Sequence, residues 1–150
     1  MANFFYNEAK RRILAGEIDL DADDIRVALV RTGSDAATLT SASLMSDFVT
    51  LNEYDGTGYS PAGAATYALA NKLVTTDLPN NRGEFDADDF TFTGLGAGST
   101  DAQGALLYVW QGTFALSWPL AYFDTNGFPT NGNGGNLTLV WNAEGIIQAT

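Results

Sequence analysis

The sequence predicts a mainly β protein: an antiparallel β-sandwich or barrel-like domain with a short amphipathic helix at its amino terminus. Sixteen glycines and an aromatic content of 12%, with threonine and valine spread through the chain, favour short strands joined by tight turns. Several segments alternate apolar and polar residues, and turn-forming clusters separate them. A chain of 150 residues can bury a core without disulfides. We therefore expect a single β domain over residues 1–150, with a helical arm at 1–16 and the sandwich at 17–150.

The amino-terminal segment, residues 4–15, has the spacing of a short helix. The apolar residues at helical intervals are Phe5, Ala9, Ile13 and, on the neighbouring stripe, Leu14. Gly16 is placed to end this helix. Because a helix of about 10 residues is not stable alone in water, we expect it to dock on its own sheet or on a neighbouring molecule.

The first half of the remaining chain contains one clear strand. Apolar Ile25, Val27 and Leu29 alternate with Arg26, Ala28 and Val30, which predicts a strand with one buried face. Polar and small residues over 32–46 indicate a surface loop, and 48–51 indicates a short strand. Helix and strand compete over 64–76, and we prefer the strand.

The second half predicts a series of short strands separated by turns. Their expected ranges are 90–93, 105–111, 119–124, 137–141 and 145–149. The strands at 105–111 and 119–124 are expected to pair as neighbours. Gly94, Gly96 and Gly98 lack the Lys-Ser/Thr of a phosphate loop, so we interpret them as a flexible turn.

Composition excludes several classes of function. The net charge of −11 disfavours nucleic acid and anionic membrane surfaces as partners. The absence of cysteine removes disulfides and thiolate chemistry, and the absence of histidine removes the usual general base near neutral pH. We expect no enzymatic activity and no cofactor. Since no apolar run reaches membrane-spanning length and no signal peptide is evident, we also expect a soluble, unprocessed chain.

Three carboxylates near the start of the sandwich resemble part of a calcium loop. Asp19, Asp21 and Asp23 have the alternating spacing of such a loop, but Asp24 and Val30 stand where it needs glycine and glutamate. Metal binding therefore remains a weak candidate, and capping of a turn is the preferred interpretation. Residues 21–24 have the sequence Asp-Ala-Asp-Asp. The same four residues occur again at 86–89, and each copy directly precedes a predicted strand.

Aromatic residues are candidates for the core, for a subunit interface or for a sugar-stacking platform, and the core is preferred. The residues considered are Tyr108, Trp110, Trp118, Tyr122, Phe123 and Trp141. For a protein interface, we select the apolar residues of the amino-terminal arm and two aromatic residues near turns. These candidates are Phe4, Phe5, Ile13, Leu14, Trp118 and Phe128.

A set of short motifs, in order along nearly the whole chain, resembles a widespread family of virion structural proteins of tailed phages. The motifs are GEIDLD at 16–21, IRVAL at 25–29, GTGY at 56–59, FDADD at 85–89, LLY at 106–108, PLAYFD at 119–124 and LTLVWNAEGI at 137–146. The resemblance implies a decoration or cement protein on the outer surface of the capsid. It implies the major capsid protein as partner, self-association as a dimer or trimer, synthesis in the host cytoplasm, and no catalytic signature.

Two other functions remain open at this point. A tail or baseplate component would use the same β scaffold in fewer copies per particle. A carbohydrate-binding module would hold sugars on exposed aromatic rings.

Overall fold

The structure, a computed structural model, describes residues 3–125 and 127–150. Within these ranges the chain forms one α-helix, nine β-strands and three short 3-10 helices. The helix is α1 (Asn7–Leu14) and the strands are β1 (Asn3–Phe5), β2 (Ile25–Arg31), β3 (Leu73–Asp77), β4 (Arg82–Asp86), β5 (Phe90–Leu95), β6 (Ala102–Val109), β7 (Trp118–Phe123), β8 (Gly135–Leu139) and β9 (Ile147–Ala149). The 3-10 helices are Asp35–Ala37, Met45–Asp47 and Ala65–Tyr67.

The strands form three antiparallel sheets. The largest has the order β1-β7-β6-β2, the second has the order β3-β4-β9, and β5 pairs with β8 in the third. The predicted mainly β architecture with a short amino-terminal helix is therefore confirmed. The sheets of the described residues do not close into a barrel.

The amino-terminal helix is shorter than predicted because its first residues belong to a strand. Phe4 pairs with Tyr122 and Phe5 with Ala121, so this segment extends the largest sheet as β1. The helix begins only at Asn7 and ends at Leu14. Gly16 then adopts φ +69° and donates its N–H to the carbonyl of Ile13, which ends the helix as expected.

The helix docks on its own sheet. Ala9 is buried, and the guanidinium of Arg12 lies 4.0 Å from the centre of the Trp118 ring at the start of β7. Tyr6, which precedes the helix, is also buried and donates a hydrogen bond from its hydroxyl to the carbonyl of Ala36 at 2.6 Å. These contacts fix the helix within the fold.

Strand β2 is buried on both faces, whereas alternation predicted one buried face. Its outer edge is covered by irregular chain, since Tyr54 N donates to Leu29 O and Leu69 N donates to Ile25 O, each at 2.8 Å. The second residue of the strand, Arg26, is charged and is buried beside Trp110, 3.9 Å from the ring centre. A 2.6 Å ion pair with Asp24 compensates the buried guanidinium.

Two other segments differ from the prediction. No strand forms over 48–51: Phe48 enters the core, and the carbonyl of Thr50 accepts a hydrogen bond from Asp35 N instead of joining a ladder. The segment 64–76 divides into a 3-10 turn and the start of β3, and strand β4 was not predicted. The strands predicted at 90–93, 105–111, 119–124, 137–141 and 145–149 all occur with shifted ends, and β6 pairs with β7 as expected.

The glycine-rich turn after β5 is packed tightly, so the expectation of a flexible turn is wrong. The buried Tyr54 hydroxyl accepts hydrogen bonds from Gly98 N at 2.7 Å and Gly132 N at 2.9 Å. Its proton can reach Gly96 O at 2.9 Å or Asn131 Oδ1 at 2.7 Å. A Cβ atom on Gly98 would lie 2.7 Å from the Tyr54 ring. One side chain thus joins three loops at this end of the molecule.

The buried apolar residues form one cluster that includes residues from all three sheets. The segment 32–46, predicted as a surface loop, contributes Ala36, Ala42 and Met45 to this cluster. Its backbone also bonds to the segment before β7, since Met45 N donates to Ser117 O at 2.8 Å. This segment therefore packs into the protein although it is irregular.

Candidate binding surfaces

The six predicted interface residues do not form one free surface. Only Leu14 is strongly exposed, at 88%. The other five, Phe4, Phe5, Ile13, Trp118 and Phe128, are partly buried and pack against the protein's own core. The Phe4 ring, for example, lies 5.1 Å from that of Tyr6 and 5.6 Å from that of Tyr122. Each of these five residues already has contacts within the chain.

The three weak metal candidates form a turn. Asp23 Oδ2 accepts a hydrogen bond from Asp19 N at 2.9 Å, and Asp23 N donates to Asp19 O at 2.8 Å. A side-chain hydrogen bond with Asp19 raises the pKa of Asp21. Across 3–125 and 127–150, no group of three or more acidic side chains is arranged to hold a metal ion. The geometry accounts for Asp19 and Asp23 as turn residues.

The second copy of the aspartate pattern fixes a tryptophan. Asp89 Oδ1 accepts a hydrogen bond from Trp141 N at 2.9 Å, and Asp88 O accepts one from the Trp141 indole N–H at 3.0 Å. The Trp141 ring also makes an edge contact with Phe123, with 5.6 Å between ring centres. Hydrogen bonds at the backbone nitrogen and at the indole nitrogen therefore fix the position of Trp141.

The aromatic residues divide between the core and its rim. Tyr108 and Tyr122 are fully buried, as the preferred interpretation expected. Trp110 and Trp118 are partly buried beneath the guanidinium groups of Arg26 and Arg12. Trp141 and Phe123, both partly buried, contribute to an open cleft that is described below.

Seven large apolar side chains are strongly exposed among the described residues, and six of them were not predicted as contacts. They are Leu14, Val49, Leu73, Val74, Leu78, Leu116 and Val140. Three of them belong to one supersecondary unit, the β3–β4 hairpin (residues 73–86). The sequence did not predict this hairpin, because helix and strand patterns compete over residues 64–76, where its first strand begins.

The β3–β4 hairpin presents an exposed apolar edge. Strand β3 lies at the edge of its sheet, and its first four residues are exposed on both faces. Leu73 and Val74 are 55% and 48% exposed, and Leu78 in the turn is 78% exposed. An edge strand of this kind offers backbone hydrogen-bonding groups as well as apolar side chains to another chain.

An ion-pair network holds the hairpin in position. The Arg82 guanidinium contacts Glu84 at 2.7 Å and Asp77 at 3.0 Å within the hairpin. It also contacts Glu144, before β9, at 2.6 Å. These hydrogen bonds, chiefly that to Glu144, raise the pKa of Arg82. The hairpin is thereby joined to the carboxyl-terminal segment.

A second group of exposed apolar residues lies on segments that touch one another. The segment carrying Val49 is bonded near its start to the segment carrying Leu116, because Ser46 N donates to Ala115 O at 3.1 Å. The helix that carries Leu14 reaches the same region through a 3.4 Å hydrogen bond from Arg12 to Ser43. No sequence signal identifies this grouping, since the three segments are distant along the chain.

A cleft of about 250 Å³ opens between the largest sheet and the segment around β8 and β9. Three aromatic side chains line it: Phe123, Phe128 and Trp141. Its polar lining consists of neutral side chains, and no ionisable side chain among the described residues contributes to the wall. In a chain with a net charge of −11, this is a locally uncharged surface.

The amide side chains of the cleft are positioned by the fold. Asn3 Nδ2 donates to Thr125 Oγ1 at 2.9 Å, and Gln148 Nε2 donates to Glu144 O at 2.8 Å. Asn142 Oδ1 accepts from Glu144 N at 3.0 Å, while its side-chain NH₂ has no bond to any residue in 3–125 or 127–150. The cleft therefore retains unused donor capacity beside its aromatic rings.

One half-buried carboxyl group, that of Glu53, lies away from these surfaces. Glu53 accepts hydrogen bonds from the Tyr59 hydroxyl at 2.8 Å and from Ala62 N at 3.0 Å. Burial raises the pKa of Glu53 above its ordinary value, although the Ala62 bond acts in the opposite direction. These hydrogen bonds connect Glu53 to the turn-rich segment that follows Tyr54 along the chain.

No α-helix in the described ranges has the length and apolarity needed to cross a bilayer. No family model, curated protein or solved structure matches the chain.

Proposed function

We propose that the chain is a structural protein of a tailed-phage virion, which decorates the outer surface of the head and bridges capsomers. The family resemblance of the sequence motifs suggests the setting. The observation that carries the proposal is the β3–β4 hairpin, whose edge strand exposes apolar side chains on both faces. Exposed apolar groups on an edge strand favour association with another protein chain.

The hairpin suits a partner that supplies a strand or an apolar groove. Leu73 and Val74 would lose contact with water on binding, and unpaired backbone groups of β3 would gain hydrogen-bond partners. We assign this role to the major capsid protein. Self-association as a dimer or trimer would use the second group of exposed residues, Leu14, Val49 and Leu116.

Charge supports a position outside the shell. The net charge of −11 repels packaged DNA and keeps a protein present in many copies soluble. A subunit that bridges capsomers stabilises the shell because its interface must be broken before the lattice opens.

The experiment is reconstitution of heads that lack the protein. Purified wild-type protein should co-sediment with heads and raise the temperature at which they release DNA. The variant L73K/V74K should bind at least about tenfold more weakly, since charges would have to be desolvated at the contact. The comparison variant V49K/L116K changes two exposed apolar residues of the second group; it should weaken self-association, and each protomer should still bind heads through the hairpin.

Each outcome addresses a separate part of the proposal. Absence of wild-type binding to heads contradicts decoration. Loss of binding in V49K/L116K but not in L73K/V74K contradicts the choice of the hairpin and assigns docking to the second group. Binding to purified tails but not to heads supports the alternative of a tail or baseplate component.

A further inference from the structure

The cleft lined by Phe123, Phe128 and Trp141 has a function distinct from the hairpin: we propose that it binds one ring of a neutral carbohydrate. Its volume of about 250 Å³ lies just below the range of about 300–1,000 Å³ found for drug-sized ligands. It is therefore large enough for a single small ring and too small for a nucleotide or a folded peptide segment.

The uncharged lining selects the chemical class of the ligand. Within 3–125 and 127–150, no lysine or arginine lines the cleft to balance a phosphate or carboxylate, and no acidic side chain lines it to balance an amine. The surrounding protein is strongly acidic, which adds a long-range penalty for anions. A neutral ligand is the one that this surface accommodates without an unpaired charge.

The polar groups favour a hydroxyl-rich ligand over an apolar one. The Asn142 NH₂ offers two donors without a partner among the described residues, and Gln148 and Asn3 each have one amide hydrogen left. A sugar hydroxyl both donates and accepts, so it can satisfy these amides. An apolar side chain placed there would instead bury the Asn142 amide without a partner, which is unfavourable.

The aromatic groups suit the C–H faces of a pyranose ring. Trp141 is held by hydrogen bonds at its backbone and at its indole nitrogen, and its ring is supported by Phe123. Binding to a side chain that is already ordered avoids the conformational entropy lost when a flexible one is fixed. The two Asp-Ala-Asp-Asp segments thus differ in role: the first closes a turn, and Asp88 and Asp89 of the second position a binding-site tryptophan.

The test uses the intact chain and a panel of defined sugars. The methyl glycosides of glucose, galactose, mannose and N-acetylglucosamine serve as neutral probes, glucuronic acid serves as an anionic ring of similar size, and cyclohexanol serves as an apolar ring. Binding is followed by ¹H–¹⁵N NMR, in which the amides of Asn3, Asn142 and Gln148 report the site directly. At least one neutral sugar should produce saturable shifts confined to the cleft, with a Kd in the range of about 1–10 mM.

Variants separate the site from unspecific contact. Trp141→Ala and Asn142→Ala should each weaken binding at least about fivefold. Leu78→Ala, which changes an exposed apolar residue outside the cleft, should leave it unchanged. If Trp141→Ala fails to fold, Asn142→Ala decides the result, because the Asn142 side chain is exposed and makes only a local hydrogen bond.

Three results would overturn the proposal. The first is the absence of saturable shifts with all four neutral sugars. The second is equal binding of glucuronic acid, which would show that charge does not select the ligand. The third is tighter binding of cyclohexanol than of any sugar, which would assign the cleft to an apolar side chain of a protein partner.

Discussion

At the scale of single residues, two buried tyrosines with the same accessibility have opposite environments. The Tyr54 hydroxyl has four hydrogen-bond partners in two other loops, whereas the Tyr122 hydroxyl is buried with no partner among the described residues. Tyr54→Phe would leave the Gly132 N–H without its acceptor, while Gly98 N keeps its bond to Asn131 Oδ1, and should lower the free energy of unfolding by about 1–3 kcal/mol. Chemical denaturation at neutral pH measures this loss.

Tyr122→Phe is the matched control for that substitution. Since it removes a buried hydroxyl that has no hydrogen bond, its effect should lie within about 0.5 kcal/mol of zero or be stabilising. Equal losses for the two variants would contradict the assignment of Tyr54 as the group that holds the loops together.

The second residue-scale prediction concerns the protonation of Glu53. Its folded-state pKa is raised above the ordinary value of 4.5, chiefly by burial. The folded protein therefore binds this proton more tightly than the unfolded chain does. The resulting contribution to stability is complete below pH 4.5 and is lost as the pH rises through the folded-state pKa.

A ¹³C NMR titration of the Glu53 carboxyl group tests this directly, with a midpoint expected above 4.5. Glu53→Gln, which cannot ionise, should lose less stability relative to the wild type at pH 7 than at pH 4. A midpoint at or below 4.5 would show that the hydrogen bonds from Tyr59 and Ala62 outweigh burial.

At the scale of elements, glycine in strand β6 is required by close packing. A Cβ atom on Gly104 would lie 2.5 Å from the Tyr122 hydroxyl and 2.7 Å from the carbonyl of Phe123 on β7. Gly104→Ala should therefore force the two central strands apart and cost about 1–3 kcal/mol. Thermal unfolding followed by circular dichroism measures the change.

A glycine in another strand provides the control. In Gly83→Ala the nearest atom to the new Cβ would be the Thr75 carbonyl, at 3.9 Å, so stability should change by less than about 0.5 kcal/mol. A similar cost for both substitutions would mean that glycine is required by backbone conformation and not by the contact of β6 with β7.

The ion-pair network should order the β3–β4 hairpin without dominating global stability. Arg82→Gln removes the contacts with Asp77, Glu84 and Glu144. We expect faster hydrogen exchange in the hairpin and little change in the four-stranded sheet, because the hairpin's edge strand has few buried contacts. Uniformly faster exchange would instead place the network at the centre of global stability.

Local sequence pattern predicted the helix end and the strands that are specified by neighbouring residues. Alternation identified β2, β5 and β8, short apolar runs identified β6 and β7, and Gly16 correctly marked the end of the helix. Local pattern failed where strands pair across a long stretch of chain. The spacing of Phe5 fits a helix, but its segment pairs with β7, more than 110 residues away. Burial of both faces of β2 also depends on covering segments that no local pattern identifies.

The candidate sites were predicted less completely than the fold. Five of the six selected interface residues contact the protein's own core, because apolarity alone does not distinguish a core residue from an exposed one. Trp141 was recognised as an aromatic candidate, but its role depends on Asp88 and Asp89, some 50 residues earlier in the chain. The cleft depends on the meeting of three sheet regions and has no contiguous sequence signal.

At the scale of the whole molecule, separate parts of the protein provide the core, the exposed apolar edge and the cleft. The helix and the largest sheet provide the core, the β3–β4 hairpin presents an exposed apolar edge, and the neutral cleft lies on an otherwise acidic protein. These roles are compatible, because residues 73–86 do not line the cleft. The proposed shell contact at the hairpin and the proposed sugar site in the cleft can therefore be occupied at the same time.

The most direct test of the central claim is electron cryomicroscopy of the virion, with the structure fitted into density on the head. Decoration predicts repeated density on the outer surface that matches this fold, with the β3–β4 hairpin directed toward the major capsid protein. Heads that carry no such density, in particles whose tails contain the protein, would contradict the account.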